Sequence, residues 1–231
     1  MRTSQIAALS LGLDLGMRLI DTAEMYGDGA AETLIGKVIK GRREEVFLVS
    51  KVLPHHATLP GTIEACNESL ERLGTDYLDL YLLHWRGSIP LAETLEAFQS
   101  LKRAGKILDY GVSNFDVEDM EEAVALPFGD EIVTNQVLYN LRHRDIEWDL
   151  RPWRRQREIP IMAYSPIEHS PRDQRGMLDQ PQLKLIAVRH CATPAQIGLA
   201  WVLHQQVGCD TKSRQTGTRA TEPRSTGDRI D

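Results

Sequence analysis

Cysteine is scarce in this chain of 231 residues; there are three, Cys66, Cys191 and Cys209. An odd number without metal-ligand spacing excludes a cysteine metal site and a disulfide framework, and it fits a reduced, cytoplasmic setting. Long apolar runs are also missing. None approaches the roughly 20 residues that a membrane-spanning helix needs. The most apolar N-terminal run, Ile6 to Leu15, is broken by Asp14 and has no cleavage-site pattern, so no signal peptide is read. An excess of positive charge is absent too. Lys and Arg number 27 against 33 Asp and Glu, a net charge of -6, which offers no electrostatic reason to expect nucleic acid or an anionic membrane. Finally, no Gly-x-Gly-x-x-Gly follows the first strand candidate, which weakens a doubly wound nucleotide-binding sheet.

What is present is enough apolar residue for one core. The chain is 42% apolar and 26% charged, which excludes wholesale disorder. Strands are expected at Leu19–Thr22, Val46–Val52, Tyr77–His84, Ile107–Ser113, Ile132–Gln136 and Ile159–Tyr164. Two of them hold continuous apolar runs, as strands buried on both faces do. Helices are expected at Ile6–Gly16, Thr62–Leu73, Leu91–Ala104, Met120–Leu126 and from Thr193-Pro194 to about His204. Alternating β and α at this spacing argues a parallel α/β fold, and a (β/α)8 barrel is preferred to an open sheet. Six strands are found where the barrel needs eight. The first and eighth are missing, and in a closed ring these two are neighbours.

Chemistry in a barrel gathers where strands end. Here those ends carry Asp21-Thr22-Ala23-Glu24-Met25-Tyr26-Gly27, Ser50-Lys51, His84-Trp85, Gly111-Val112-Ser113-Asn114-Phe115, Asn135-Gln136 and Ala163-Tyr164-Ser165-Pro166. Asp, Tyr, Lys and His at the ends of three successive strands suit carbonyl reduction. Tyr26 would donate the proton and Lys51 would lower its pKa. Asp21 would hold Lys51 charged, and His84 would orient the carbonyl. Singly, each residue has a bland reading: a solvated lysine, a packed loop tyrosine, a helix-capping aspartate, a satisfied histidine. Their joint placement reverses that judgement.

These motifs, over roughly residues 5 to 206, resemble the aldo-keto reductases. The resemblance implies a (β/α)8 barrel that uses NADPH, or less often NADH, to reduce aldehydes and ketones. It implies Asp21, Tyr26, Lys51 and His84 as the catalytic tetrad. Ser113, Asn114 and Gln136 would bond the nicotinamide carboxamide, Tyr164 would stack on its ring, and Ser165 and Ile167 would lie along the pyrophosphate. Trp85 would help wall the substrate pocket, with plain rim packing an equal reading. The implied partner is a small carbonyl compound, with no nucleic acid and no membrane.

Two departures from the family stand out. A hairpin and first strand usually precede the helix at Ile6, and a start at Met1 leaves no room for them; a misassigned start or a real truncation is expected. From Val207 to Asp231 the chain has no aromatic residue and no Leu, but five Thr and four Arg. Residues 1–206 are therefore read as the barrel domain, and 207–231 as an aberrant, disordered tail. A one-base shift near the codon for Gly208 lets 208–213 be rewritten as Val-Val-Ile-Pro-Lys-Ala, the eighth-strand motif that the resemblance implies. Poor stability and weak cofactor binding are expected for such a chain. A non-catalytic relative, a decayed gene product or a sugar-phosphate isomerase barrel are the competing readings. The isomerase leaves Tyr26, Lys51, His84 and Ser113-Asn114 unexplained.

Overall fold

Apolar runs bounded by turns build the sheet. The computed structural model describes residues 2–168 and 170–205. In it β1 (Leu19–Asp21), β2 (Phe47–Val52), β3 (Leu78–Leu83), β4 (Ile107–Ser113), β5 (Asn135–Leu138) and β6 (Ile161–Tyr164) pair in sequential order. Every pairing is parallel. A doubly wound sheet reverses its strand order at a switch point, whereas this order never reverses, as in a barrel. The helices among the described residues are α1 (Arg2–Asp14), α2 (Ala30–Ile39), α3 (Leu59–Leu73), α4 (Leu91–Arg103), α5 (Val117–Ala125), α6 (Leu150–Arg157), α7 (Pro171–Leu178), α8 (Pro181–Arg189) and α9 (Pro194–His204).

The sheet curls. Gln136 on β5 reaches Asp21 on β1, four strands away, with Nε2 donating to Oδ1 at 3.0 Å. The six strands therefore form a curled half-barrel, with β1 and β6 at its two margins. Among the described residues no strand precedes α1 and none follows α9. The tail at 207–231, its shifted reading frame and Cys209 lie outside the described residues.

The period of two along each strand separates two apolar layers. Leu48, Val52, Tyr81, Leu83, Tyr110 and Val112 face the helices and pack with Leu73, Leu95 and Phe98. Val49, Leu80, Leu82 and Met162 form a separate, smaller cluster inside the curl. Gly111 lies at a close approach in β4. A Cβ there would sit 2.5 Å from the Thr134 carbonyl oxygen and 3.0 Å from Leu82 Cδ2, so no larger residue fits.

Helix boundaries depart from the periodic reading where capping chemistry extends them. α3 begins at Leu59 rather than Thr62, because Thr58 Oγ1 accepts from Gly61 N and Pro60 occupies the first turn. α5 begins at Val117 rather than Met120, behind a capping box of Asp116 and Asp119. α1 runs Arg2–Asp14 rather than Ile6–Gly16. β5 begins at Asn135 rather than Ile132, after a left-handed Phe128 and a 3-10 turn at Gly129–Glu131. α9 begins as expected, with Thr193 as cap and Pro194 at the first position.

Candidate active site

Asp21, Lys51 and Ser113 end or nearly end their strands, and His84 follows the last residue of β3. They converge at the mouth of the curl. Lys51 is fully buried, and its ammonium donates to Asp21 Oδ2 at 2.7 Å and to the Thr22 carbonyl at 2.8 Å. Asp21 is thus held from both sides, by Lys51 on one oxygen and Gln136 on the other. Burial pulls the Lys51 ammonium below the usual lysine range, and the negative charges of Asp21 and Glu32 oppose that pull.

Tyr26 sits on the loop after β1 with 38% of its surface exposed. The Lys51 Nζ lies 5.1 Å from its ring centroid, and the His84 ring meets it edge-on at 5.8 Å. The expected lowering of the Tyr26 pKa is not found. Burial first, then Asp21 and Tyr164, push Tyr26 up to about 12. Burial outweighs the help that Lys51 gives: its Nζ stands 5.1 Å from the ring centroid, with Asp21 paired to it at 2.7 Å. Tyr26 is consequently a protonated phenol at ordinary pH.

The His84 ring is pushed down to about 4, by burial first and then by the Lys51 charge, with Asp21 opposing. The ring is neutral near pH 7, and its buried Nδ1 has no protein partner. Its backbone carbonyl accepts from Asn114 Nδ2 at 3.0 Å. A titration of the His84 ring by NMR is expected to show a midpoint near 4; a midpoint at the usual 6.5 would overturn the neutral assignment. Linkage gives the sign. The unfolded chain takes up this proton near 6.5, the folded chain only near 4. His84 neutrality therefore supports the fold above about pH 6.5, and that support drains away as the pH falls to about 4.

The second group of residues joins the first. Asn114 adopts a left-handed backbone (φ 60), which asparagine tolerates, and this turns its amide into the mouth. Asn114 Nδ2 also donates to Ser113 Oγ at 3.2 Å, and Asn114 Oδ1 accepts from the Tyr164 hydroxyl at 2.9 Å. Ser113 Oγ donates to the Gln136 carbonyl at 2.7 Å. Ser165, with φ 51, has its carbonyl held by Asn140 Nδ2 at 2.9 Å. Ile167 lies against α9, where a Cβ on Gly198 would touch its Cγ2 at 3.5 Å. Trp85 stands at the rim, 37% exposed, with its ring 4.8 Å from His84.

A hydroxyl and two amides on neighbouring strand ends supply both donors and acceptors, which is the chemistry that a flat carboxamide requires. Tyr164 is anchored through its hydroxyl and offers an aromatic face beside them. These residues fit a nicotinamide ring. Cys66 is buried, and burial pushes its thiol up to about 12; Cys191 is exposed. Neither neighbours the site chemistry described above.

The sequence reading missed Glu24. It is buried, and its Oε1 accepts from Leu53 N at 2.6 Å and lies 3.1 Å from His56 Nδ1, tying the loop after β1 to the loop after β2. Glu24 stands inside the motif that carries Tyr26, but its partners lie 29 and 32 residues further along. It also missed the Thr22 carbonyl, since a backbone acceptor leaves no side-chain signal.

The model of the aldo/keto reductase family matches residues 1–210. Methylglyoxal reductase YeaE of Escherichia coli (strain K12) is 51% identical over 205 residues, which cover 89% of this chain and 72% of that protein. Aldo-keto reductase YhdN of Bacillus subtilis (strain 168) is 37% identical over 175 residues, 71% of this chain and 52% of that one. A crystal structure of an aldo/keto reductase from Klebsiella pneumoniae in complex with NADP and acetate is similar with a TM-score of 0.85 and 49% identity. That match covers 87% of this chain and 71% of the Klebsiella chain.

Proposed function

The chain belongs to the aldo/keto reductase family, and from that premise we propose that it reduces small aldehydes and ketones to alcohols with NADPH, taking a 2-oxoaldehyde such as methylglyoxal. The observation that carries this reading is the convergence of Tyr26, Lys51, Asp21 and His84 around one mouth. The substrate class follows from the Escherichia coli relative, which is named for methylglyoxal reduction. The cofactor follows from the Klebsiella relative, which was crystallised with NADP.

Ser113, Asn114 and Gln136 would hold the nicotinamide carboxamide, with Tyr164 against the ring and Ser165 and Ile167 beside the pyrophosphate. The cofactor, when bound, supplies the hydride. The residues of the chain do the rest. Neutral His84 has one ring N–H to donate to the substrate oxygen, which orients the carbonyl without adding a charge. Tyr26 keeps its proton at ordinary pH. It gives that proton to the substrate oxygen as negative charge builds there, because an alkoxide is a far stronger base than a phenolate. Lys51 keeps a positive charge beneath the Tyr26 ring, which favours the phenolate left behind. Asp21 fixes the direction of Lys51. Trp85 narrows the entrance. The half-exposed phenol can be reprotonated from water.

The test is direct. The purified chain is titrated with NADPH by fluorescence, and methylglyoxal is then added while NADPH consumption is followed. Saturable binding and consumption that requires methylglyoxal are expected. Binding without turnover of any aldehyde would replace this reading with that of a non-catalytic relative.

A further inference from the structure

Glu32 is fully buried, yet none of the steps above uses it. It lies in the first turn of α2, and both carboxylate oxygens are engaged. Oε1 accepts from Ser50 Oγ at 2.6 Å, and Oε2 accepts from Arg72 Nε at 2.6 Å. Ser50 immediately precedes Lys51 on β2. Strand alternation turns Ser50 toward the helices and Lys51 into the mouth, so a bond that fixes one also fixes the rotation of the other. Arg72, in the last turn of α3, is held by Ser69 Oγ and Glu68 Oε2, each at 3.2 Å. Its side chain crosses Gly29, where a Cβ would stand 2.4 Å from Arg72 Cδ. Gly29 has φ 78 and closes the loop that carries Tyr26. A single carboxylate therefore ties β2, α2, α3 and the Tyr26 loop together.

Packing alone does not call for this arrangement. A buried ion pair can often be replaced by apolar residues without loss of stability, so its presence is weak evidence of a purely structural role. We propose that Glu32, through Ser50 and Arg72, is a positioning residue of the reductase site, setting the aim of Lys51 and the seat of the Tyr26 loop. It acts through its neighbours and touches no substrate. Its charge also counts among those that favour the Lys51 cation, alongside Asp21 on β1. The neutral groups facing Lys51 are Tyr26 and His84. The inference rests on the reading of Lys51 and Tyr26 as reductase machinery.

The experiment pairs kinetics with a readout independent of turnover. Full-length wild type, Glu32→Gln and Ser50→Ala are labelled with 13C at the lysine ε-carbon, and the Lys51 signal is assigned by its disappearance in Lys51→Arg. In Glu32→Gln, Lys51 is expected to titrate at lower pH than in wild type, because a negative charge is gone. In Ser50→Ala, which keeps the Glu32–Arg72 pair, the Lys51 signal is expected to move as β2 relaxes. In each variant kcat for methylglyoxal should fall about tenfold, as small misplacements at a reacting site do. KM and NADPH affinity should change less than twofold. An unmoved Lys51 signal in either folded variant overturns the proposal, as does a kcat loss that merely follows KM. Should Glu32→Gln fail to fold, Ser50→Ala decides. If wild type shows no reduction, the functional reading fails while the Lys51 signals still judge the positioning role.

Discussion

Replacing Tyr26 by Phe is expected to lower kcat for carbonyl reduction by roughly a thousandfold, within the range that a positioned proton donor supplies. The substitution removes one oxygen and keeps the ring. The edge-on contact with His84 and the Lys51 cation over the ring face both survive it. The phenol is 38% exposed, so its loss leaves no buried cavity. NADPH affinity and the melting midpoint should therefore match wild type while turnover collapses. Because Tyr26 titrates only near 12, no other protonation state competes for the role at ordinary pH. The measurement is steady-state NADPH consumption with methylglyoxal, beside a fluorescence titration of the cofactor. A variant that keeps more than a tenth of wild-type kcat would remove Tyr26 from the mechanism.

Lys51→Met is expected to damage both activity and stability. The methionine fills nearly the same volume but cannot donate to Asp21 or to the Thr22 carbonyl. Asp21 then keeps a charge with only Gln136 opposite it. Breaking a buried pair costs about 3 kcal/mol at the lower end of its range. The lower end applies because 26% of the Asp21 side chain stays in water. A companion loss of about a hundredfold in kcat is expected from the missing cation and the displaced Tyr26 loop. Adding Asp21→Asn should recover part of the stability and none of the activity, since it removes the stranded charge without restoring the ammonium. Urea unfolding of the two single variants and the double variant closes the cycle. Strictly additive losses would mean that the two side chains are not coupled.

The chain announces much of this fold in its local pattern. Val46 to Val52 and Tyr77 to His84 are apolar enough to be strands, and Lys51, next to last in β2, and His84, directly after β3, break those runs where the strands end. Elements whose signals are mixed went unread. α6, Leu150–Arg157, is dominated by arginine, so its buried Leu150 and Trp153 show no run. α2 starts from a left-handed Gly29 without a side-chain cap. α7 and α8 are short and begin at prolines, which mark loops as readily as helix starts. Glu24 and Glu32 look like solvated charges in sequence, and only their burial gives them a role.

The sequence by itself determined where the six strands lie and which polar residues stand at their ends, because strand period and chain direction are local properties. Only the tertiary structure decided how those residues act on one another. The curl of the sheet brings Gln136 to Asp21 across 115 positions. The same folding half-buries Tyr26 beside Asp21 and Tyr164, and burial first of all leaves it with a raised rather than a lowered pKa. Distance and burial decide which of several opposing effects on a pKa wins, and neither is written in the spacing of residues along a chain.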